Sequence, residues 1–483
     1  MFYNRSASIL LLVLCSISIS FSQNFTLESI KSAPFPTELV SAKVGDKIAW
    51  AMDEKGVRNI YVAAGPSFTP RKLTSFTEDD GQEITSISIT NNGKWVVFSR
   101  GGDHGSNFDD LKPVNPIGKT IPTGVQVLQI AFTGGPIRVI SEGDEPKLSP
   151  KSDVVMFIKD GQPWVSKLDT NAEDGFYEIP FVLLKTRGQV SQLNWSPDGS
   201  KVAFVANRGD HSFIGWHSLG TTQVSFLDPT FSKDSSPRWS PDGKSIAFIR
   251  TPAKGGAVDS LTLRKRIEWS IRTVGLTGEP SKLVWSAPKT YRGSIPSTQG
   301  GTNLFWAQND RITFTSYHDG WPHLYSVPVK GGDALLLTPG DFMVEHVSLG
   351  HDGKYLLFDA NTGPDALDKD RRHIVRVSVD KADMKVLSPG SGNEWTAISI
   401  DNYAGMVFIG SSAKMAPQIM LRDGNGSVKS LTADLVPKEF PSTTLVEPKQ
   451  VIIKSLDGLS LHGQLFDNSN GSQKKPAIIF IHG

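Results

Sequence analysis

The sequence of 483 residues contains a single cysteine, Cys15. It lies in an N-terminal segment that we expect to be removed on export, so the mature chain would have neither disulfides nor thiol chemistry. The sequence also lacks an excess of charge, because 50 basic side chains stand against 49 acidic ones and the formal net charge is +1. This balance argues against nucleic acid or an anionic membrane as the main partner.

Several motifs of enzyme chemistry are absent as well. The ten histidines form no His-Glu-x-x-His or His-x-His cluster, which argues against a catalytic zinc, and no Gly-x-x-x-x-Gly-Lys-Ser/Thr phosphate loop occurs. The Asp198-Gly199 and Asp242-Gly243 pairs lack the further carboxylates of a calcium loop, and turn formation explains them. We therefore expect no metal and no organic cofactor.

No apolar run reaches the ~20 residues that a membrane-spanning helix requires. The run Ile9–Ile19 follows Arg5 and is followed by small residues three and one positions before Gln23. This pattern predicts a signal peptide over residues 1–22 and a secreted or periplasmic destination, with no membrane span after cleavage. Two alternatives fit less well. The run is short for an anchor, and a lipoprotein signal at Cys15 would have Leu14 where a small residue is expected.

What the sequence does contain is a repeat. Its clearest copies begin at Trp195 and Trp239 and read Trp-Ser-Pro-Asp-Gly. Two further residues then separate the glycine from Val-Ala-Phe or Ile-Ala-Phe. Pro, Asp and Gly suit successive positions of a tight turn, and the apolar triplet predicts a short strand with a buried aromatic end. Taking that aromatic residue as a marker gives copies at intervals of 44–66 residues, at Trp50, Phe98, Phe157, Phe204, Phe248, Phe314, Phe358 and Phe408.

The repeat predicts an all-β fold, and specifically a β-propeller over residues 23–440. A second strand follows most markers, as in His323–Val327 and His373–Val377. Repeats of about 40–50 residues with several short antiparallel strands are typical of propeller blades, which become stable by stacking in a ring. The markers predict eight blades; seven remains an alternative, in which the Trp50 and Phe408 copies complete one shared blade. A series of β-sandwiches or an open solenoid fits the repeat less well.

The pattern changes after about residue 440. Glu447–Lys454 and Leu459–Phe466 predict two strands joined by a turn at Asp457-Gly458. A polar loop then leads to Pro476–Gly483, whose apolar run is typical of a strand buried in a parallel sheet. Such a strand requires neighbours, so we expect residues 441–483 to be the truncated start of a further domain.

The order of these features resembles the prolyl oligopeptidase family of serine peptidases, and the resemblance covers essentially all of the mature chain. In that family a propeller precedes an α/β-hydrolase domain, and an apolar strand ends in His-Gly-Gly-Pro, of which this chain has His482 and Gly483. The resemblance implies an exported peptidase that cleaves oligopeptides through an acyl-enzyme, and a propeller that admits short or unfolded peptides. It also implies that His482 and Gly483 begin the oxyanion region.

The family's nucleophile lies in a Gly-x-Ser-x-Gly elbow that is followed by Asp and then His. No serine of this chain has glycine at both positions, so we expect the triad to lie beyond Gly483 and the chain alone to be inactive. Two other functions remain open: a non-catalytic TolB-like binding propeller of the cell envelope, which uses the same Ser-Pro-Asp-Gly turn, and an esterase with the same two domains. The sequence also leaves a homodimer open.

Candidate substrate-binding residues come from an insertion and from the start of a strand. Arg100 and Asp103 belong to the first long insertion of the repeat, and long loops on a rigid ring often bind ligands. Arg371 and Arg372 precede a predicted strand, where they could bind a peptide carboxylate. Charged residues at such positions also protect strand edges without any role in binding.

Glu145 is a further candidate. Dipeptidyl-peptidase IV-like members of the family hold the substrate's amino terminus with a Glu-Glu pair, and this chain contains no such pair. The departure puts strict dipeptidyl aminopeptidase activity in doubt, although Glu145, Glu173 or Asp174 could serve singly. The alternative for each of these acids is an ordinary surface charge.

Overall fold

The computed structural model describes residues 26–102, 104, 124–168, 179–253, 265–400, 405–467 and 476–481. Helical structure in this part of the chain is limited to one short α-helix, α1 (Leu27–Ile30), and three 3-10 turns, Tyr291–Gly293, Ala366–Asp370 and Ala433–Leu435. Among the described residues, no helix has the length and apolar character needed to cross a membrane.

The strands form eight units of four consecutive antiparallel strands, and the fourth and fifth units are joined into one eight-stranded sheet by a parallel pair between Ser212 and Lys233. We number these units as blades 1–8. Blade 1 consists of β1 (Phe35–Ser41), β2 (Lys47–Glu54), β3 (Val57–Ala64) and β4 (Arg71–Lys72), and blade 2 of β5 (Ile84–Ile89), β6 (Trp95–Arg100), β7 (Gln126–Ala131) and β8 (Arg138–Glu142). Blade 3 consists of β9 (Asp144–Leu148), β10 (Val154–Lys159), β11 (Gln162–Lys167) and β12 (Phe181–Val182), and blade 4 of β13 (Gln189–Trp195), β14 (Lys201–Asn207), β15 (Ser212–Ser218) and β16 (Val224–Leu227). Blade 5 consists of β17 (Ser232–Trp239), β18 (Ser245–Pro252), β19 (Ser270–Gly275) and β20 (Lys282–Ser286), and blade 6 of β21 (Phe305–Ala307), β22 (Arg311–Ser316), β23 (His323–Pro328) and β24 (Leu335–Leu336). Blade 7 consists of β25 (Val344–Leu349), β26 (Tyr355–Ala360), β27 (His373–Ser378) and β28 (Lys385–Val386), and blade 8 of β29 (Asn393–Ser399), β30 (Met406–Ser412), β31 (Met415–Arg422) and β32 (Val428–Ser430).

The predicted propeller is confirmed, with eight blades. Trp50 lies in β2 of blade 1 and Phe408 in β30 of blade 8, and each of these blades has four strands of its own. The seven-bladed alternative is therefore wrong. Each blade is built from one continuous segment, so blades 1 and 8 meet without exchanging a strand.

The aromatic markers fill the spaces between blades. Each lies on the second strand of its blade and is at most 1% exposed. Phe98 packs with Ile60 and Val62 of blade 1, and the other markers likewise contact the preceding blade. Trp50 packs with Val407 and other residues of blade 8, which closes the ring. Each copy of the sequence repeat therefore supplies one interface between neighbouring blades. These interfaces are needed because a single blade cannot bury both of its faces.

The Ser-Pro-Asp-Gly segments form the expected turns between first and second strands. The Ser196 hydroxyl donates to Asp198 Oδ1 at 2.6 Å, and the Gly199 amide donates to the Ser196 carbonyl at 2.9 Å. Gly199 has φ +64°, which glycine adopts without strain. Hydrogen bonds from Ser196 and Ser200 hold the pKa of Asp198 well below its usual range, so this carboxylate stabilises its turn.

The meander gives the ring two unlike faces. Turns between strands one and two, and between three and four, lie at one end of each blade, which we call the turn face. Connections between strands two and three, and between blades, lie at the other end, the loop face. First strands of successive blades contact one another and so surround the centre of the ring. Arg100, at the end of the second strand of blade 2, lies at the loop face.

The predicted hairpin after the propeller is confirmed. It consists of β33 (Lys449–Lys454) and β34 (Ser460–Leu465), joined by a turn at Asp457-Gly458. Gln450 Nε2 donates to Asp370 Oδ2 at 2.6 Å, which connects the hairpin to the loop face of blade 7.

The strand predicted from Pro476 does not form over residues 476–481. Side chains of Ile478–Ile481 are at least 84% exposed. A buried parallel strand requires a neighbouring strand on each side to form its hydrogen bonds, and residues 476–481 have none among the described residues. His482 and Gly483 lie outside the described residues.

Replacing a marker should destabilise the ring far more than replacing an exposed aromatic residue. Phe248 is 0% exposed and Phe231 is 67% exposed. We expect Phe248→Ala to lower the free energy of unfolding by about 3–5 kcal/mol, because it leaves a cavity between blades 4 and 5. Phe231→Ala, the control, should cost about 1 kcal/mol or less. Urea unfolding followed by tryptophan fluorescence measures both; equal losses would contradict the interface role of the markers.

Candidate functional site

The first strands carry a recurrent irregularity where they line the centre of the ring. In seven of these first strands, the pairing with the second strand shifts register at a non-glycine residue whose φ is positive. Such a β-bulge changes the direction of a side chain relative to the regular strand. These residues are Glu38, Ser86, Glu145, Gln192, Ser236, His346 and Thr396. The candidate residue Glu145 therefore lies at the bulge of the first strand of blade 3.

Polar residues from blades 1–3 gather beside Glu145 on the loop face. We call this group the rim cluster; it comprises Glu38, Asp80, Glu83, Arg100, His104, Asp144 and Glu145.

His104 occupies the middle of the rim cluster. Its Nδ1 lies 3.1 Å from Glu83 Oε2, and its Nε2 lies 2.7 Å from Asp144 Oδ2. The hydrogen bond to Asp144, supported by the charge of Glu83, raises the pKa of His104 to about 9. The imidazolium is thus charged at neutral pH and joins blade 2 to blade 3.

The predicted ligand residue Arg100 is engaged by the connection between blades 1 and 2. Its Nη2 lies 2.8 Å from Asp80 Oδ2, and its guanidinium lies 4.1 Å from the centre of the Phe76 ring. Its side chain is 15% exposed. This pairing positions the start of the insertion; Asp103, the other candidate of this loop, lies outside the described residues.

The carboxylates of the rim cluster differ in their surroundings. Burial favours the neutral form of Asp144, but hydrogen bonds from His104 and Ser99 outweigh it and lower the pKa of this carboxyl. Burial raises the pKa of Glu38, which also receives backbone hydrogen bonds from the next blade. Glu145 is exposed, and only its backbone amide contacts Asp144, at 2.7 Å. Five carboxyl groups against two cations make the rim an acidic surface beside the channel.

Arg371 and Arg372 belong to a second group, on the loop face of blade 7. Arg372 Nε lies 2.5 Å from Glu345 Oε2, and Arg371 Nη1 lies 3.5 Å from Asp368 Oδ1. Both guanidinium groups therefore already face carboxylates of the same blade. Among the described residues, no hydrogen bond or ion pair joins this group to the rim cluster.

His373 is the buried centre of this second group. It is fully buried, with Nε2 3.0 Å from Asp368 Oδ1 and Nδ1 2.8 Å from Glu394 Oε2. Burial lowers the pKa of His373, but hydrogen bonds to the two carboxylates outweigh it, and the net shift is upward. This arrangement fastens the blade 7 loop to blade 8, which is a structural role.

Sequence reasoning missed the residues that surround its candidates. His104, Glu83 and Asp144 are separated by 21 and 40 positions along the chain and meet only in the fold. Glu173 and Asp174 lie outside the described residues. Over the described part of the chain, no group of three or more His, Cys, Asp or Glu side chains is arranged to hold a metal ion.

Comparisons with known proteins agree with this architecture. The family model described as "Dipeptidyl peptidase IV (DPP IV) N-terminal region" matches residues 278–417. A probable dipeptidyl-aminopeptidase B of Emericella nidulans is 21% identical over 404 residues, which cover 69% of this chain and 44% of the relative. That of Aspergillus oryzae is 22% identical over 341 residues, 58% of this chain and 37% of the relative. The chain thus spans less than half the length of these relatives.

Solved structures with the same fold are peptidases that contain propellers. Porphyromonas gingivalis dipeptidyl peptidase 4 aligns over 88% of this chain and 64% of its own, with a TM-score of 0.57 and 14% identity. A puromycin-hydrolyzing peptidase of Mycobacterium tuberculosis aligns over 92% and 60%, with a TM-score of 0.53 and 15% identity. With the eight blades and the match to the dipeptidyl peptidase IV N-terminal region over residues 278–417, these similarities support a β-propeller similar to those of prolyl oligopeptidase-type peptidases.

Proposed function

We propose that this chain is the substrate-gating propeller of an exported serine peptidase that cleaves oligopeptides through an acyl-enzyme. The observation that carries the proposal is the arrangement of the loop face. The acidic rim cluster lies there beside the channel, and the hairpin after the propeller contacts the same face through Gln450 and Asp370. A peptide that passes the rim would therefore arrive on the side where the hairpin leaves the propeller.

The way the ring is built supports the proposed gating role. Dense side-chain packing joins each blade to the next, so the first strands that surround the opening are held in place. We propose that such an opening admits a short or extended peptide and excludes a folded protein. The reaction itself would use a nucleophile, a base and an orienting acid in the catalytic domain, with no metal or organic cofactor.

The rim cluster suggests which end of the peptide is held. Its exposed carboxylate at Glu145 and the nearby Glu38 would attract an ammonium group, and the two relatives reported above are named dipeptidyl-aminopeptidases. We therefore propose that the preferred substrates have a free amino terminus. Glu145 would act singly where the family uses a Glu-Glu pair.

The peptidase proposal is tested with the protein expressed from its intact gene. We expect a fluorophosphonate probe to label that protein and fluorogenic dipeptidyl amides to be hydrolysed. The chain 1–483 produced alone should remain unlabelled, because its sequence contains no Gly-x-Ser-x-Gly elbow. An intact protein that is not labelled would favour the binding propeller, and hydrolysis of esters without amides would favour the esterase.

Glu145→Gln tests the recognition of the amino terminus in the intact protein. Loss of one exposed ion pair should raise KM for peptides with a free amino terminus about 2- to 5-fold, with kcat unchanged. Acetylated peptides should be unaffected. Glu439→Gln removes an exposed acid away from the rim and is the control. An equal rise in KM for acetylated peptides would contradict the proposed contact.

His104 makes the attachment of the insertion depend on pH. Its pKa is raised from 6.5 to about 9 in the folded state, so the stabilisation is complete below about pH 6.5 and is lost as the pH rises through 9. We expect His104→Gln to lower the free energy of unfolding by about 1–3 kcal/mol at pH 6 and by little at pH 10. Urea unfolding at both pH values measures the difference, and His462→Gln on the exposed hairpin is the control. A pH-independent loss would argue against the charged histidine.

A further inference from the structure

A cavity of about 650 Å³ opens on the turn face, where blades 7, 8 and 1 meet. We call it the seam cavity. Its polar lining includes Lys43, Tyr355, Arg376, Lys385 and Arg422. Lys43 lies in the first turn of blade 1, while the others come from β26, β27, β28 and β31. The two ends of the propeller thus contribute to one pocket, on the face opposite the hairpin.

The charges of the seam cavity are unbalanced. Lys43, Arg376, Lys385 and Arg422 line it, and Asp352 is the one carboxylate among the described lining residues. None of the four cations has a carboxylate within 4.0 Å in the described part of the chain, which excludes residues 401–404. Like charges around one concave site repel each other and concentrate positive potential there. A bound anion would remove that repulsion.

Both guanidinium groups are held in place by their neighbours. Arg422 Nε donates to the Leu387 carbonyl at 3.0 Å, and Arg376 lies over the Tyr355 ring at 5.5 Å from its centre. A guanidinium fixed in this way keeps further N–H donors for a planar or tetrahedral oxyanion. Lys43 and Lys385 are exposed and can adjust their positions to the ligand.

The remaining wall of the seam cavity is apolar. Val44, which is 59% exposed, and Leu387 contribute to it, and the almost fully buried Leu357, Ile400 and Met406 lie beneath them. A free inorganic anion would leave this surface in contact with water, whereas an anion with a compact apolar body would cover it. The volume lies in the range of small-molecule sites.

We propose that the seam cavity binds a small organic anion, with its carboxylate or phosphate group between Arg376, Arg422 and the two lysines. Because the lining comes from blades 7, 8 and 1, the ligand would hold together blades that are joined only by side-chain packing. Binding to the folded ring alone raises its stability by mass action. The proposal is independent of peptidase activity.

The test uses the chain described here at constant ionic strength, with sodium chloride as the reference salt. Benzoate, phenyl phosphate and inorganic phosphate are titrated by calorimetry and by thermal unfolding. We expect saturable binding of at least one aromatic anion, tighter than that of inorganic phosphate, and a rise in Tm of about 2 °C at ten times Kd. Benzoate or phenyl phosphate as the tighter ligand identifies the carboxylate or the phosphate as the recognised group.

Two variants and a control locate the site. Arg376→Gln and Lys385→Gln should each weaken binding about 10-fold without lowering Tm in the absence of anion, because each relieves repulsion. Lys414→Gln makes the same change of charge on an exposed residue outside the lining and should leave binding unchanged. The proposal fails if no anion binds saturably, if inorganic phosphate binds as tightly as the aromatic anions, or if all three variants weaken binding equally.

Discussion

The packing of blade 1 against blade 8 is the contact on which the ring depends. At each of the other interfaces the chain runs directly from one blade into the next, which keeps the partners close before any side chain packs. At the closing interface no strand is shared, so Trp50, Met52 and their neighbours hold Val407 and Ile409 mainly by burial. The Ser41 hydroxyl adds one hydrogen bond, to the Ser399 carbonyl at 2.8 Å. Without this interface the array would be an open row of blades with two exposed apolar faces.

Closure also determines where chemistry can be placed. The turn face consists of short turns whose carboxylates, such as that of Asp198, accept hydrogen bonds from residues of the same turn. The loop face carries the longer connections, and there charged groups from different blades meet, as His104 of blade 2 does with Asp144 of blade 3. The seam cavity departs from this division because its basic residues come from three blades and are not consumed by a turn. Acidic and basic sites thus occupy opposite faces of a nearly neutral chain.

The fold could be predicted from the sequence because each repeat of the sequence forms one blade and buries one aromatic marker residue against the preceding blade. An aromatic residue that fills the space between two blades must recur once per blade, so counting the markers from Trp50 to Phe408 counts the blades. The strand expected after Pro476 failed because an apolar run specifies burial but not the neighbours that provide it. Asp457-Gly458 succeeded because a hairpin turn is decided locally.

The sites were less accessible to sequence reasoning, for the same physical reason. Loop position predicts Arg100, and the family resemblance suggests Glu145 in place of a Glu-Glu pair; both lie on the loop face, but the closed ring and not the sequence spacing determines their partners. Arg371 and Arg372 show the limit of such a choice, since an arginine suited to a peptide carboxylate is equally suited to Glu345 or Asp368. Lys43 and Arg422 stand nearly at opposite ends of the propeller sequence, and only closure brings them to one cavity. A residue pattern can therefore reveal a repeated interface, whereas a site assembled once, across the seam, is visible only after the ring has closed.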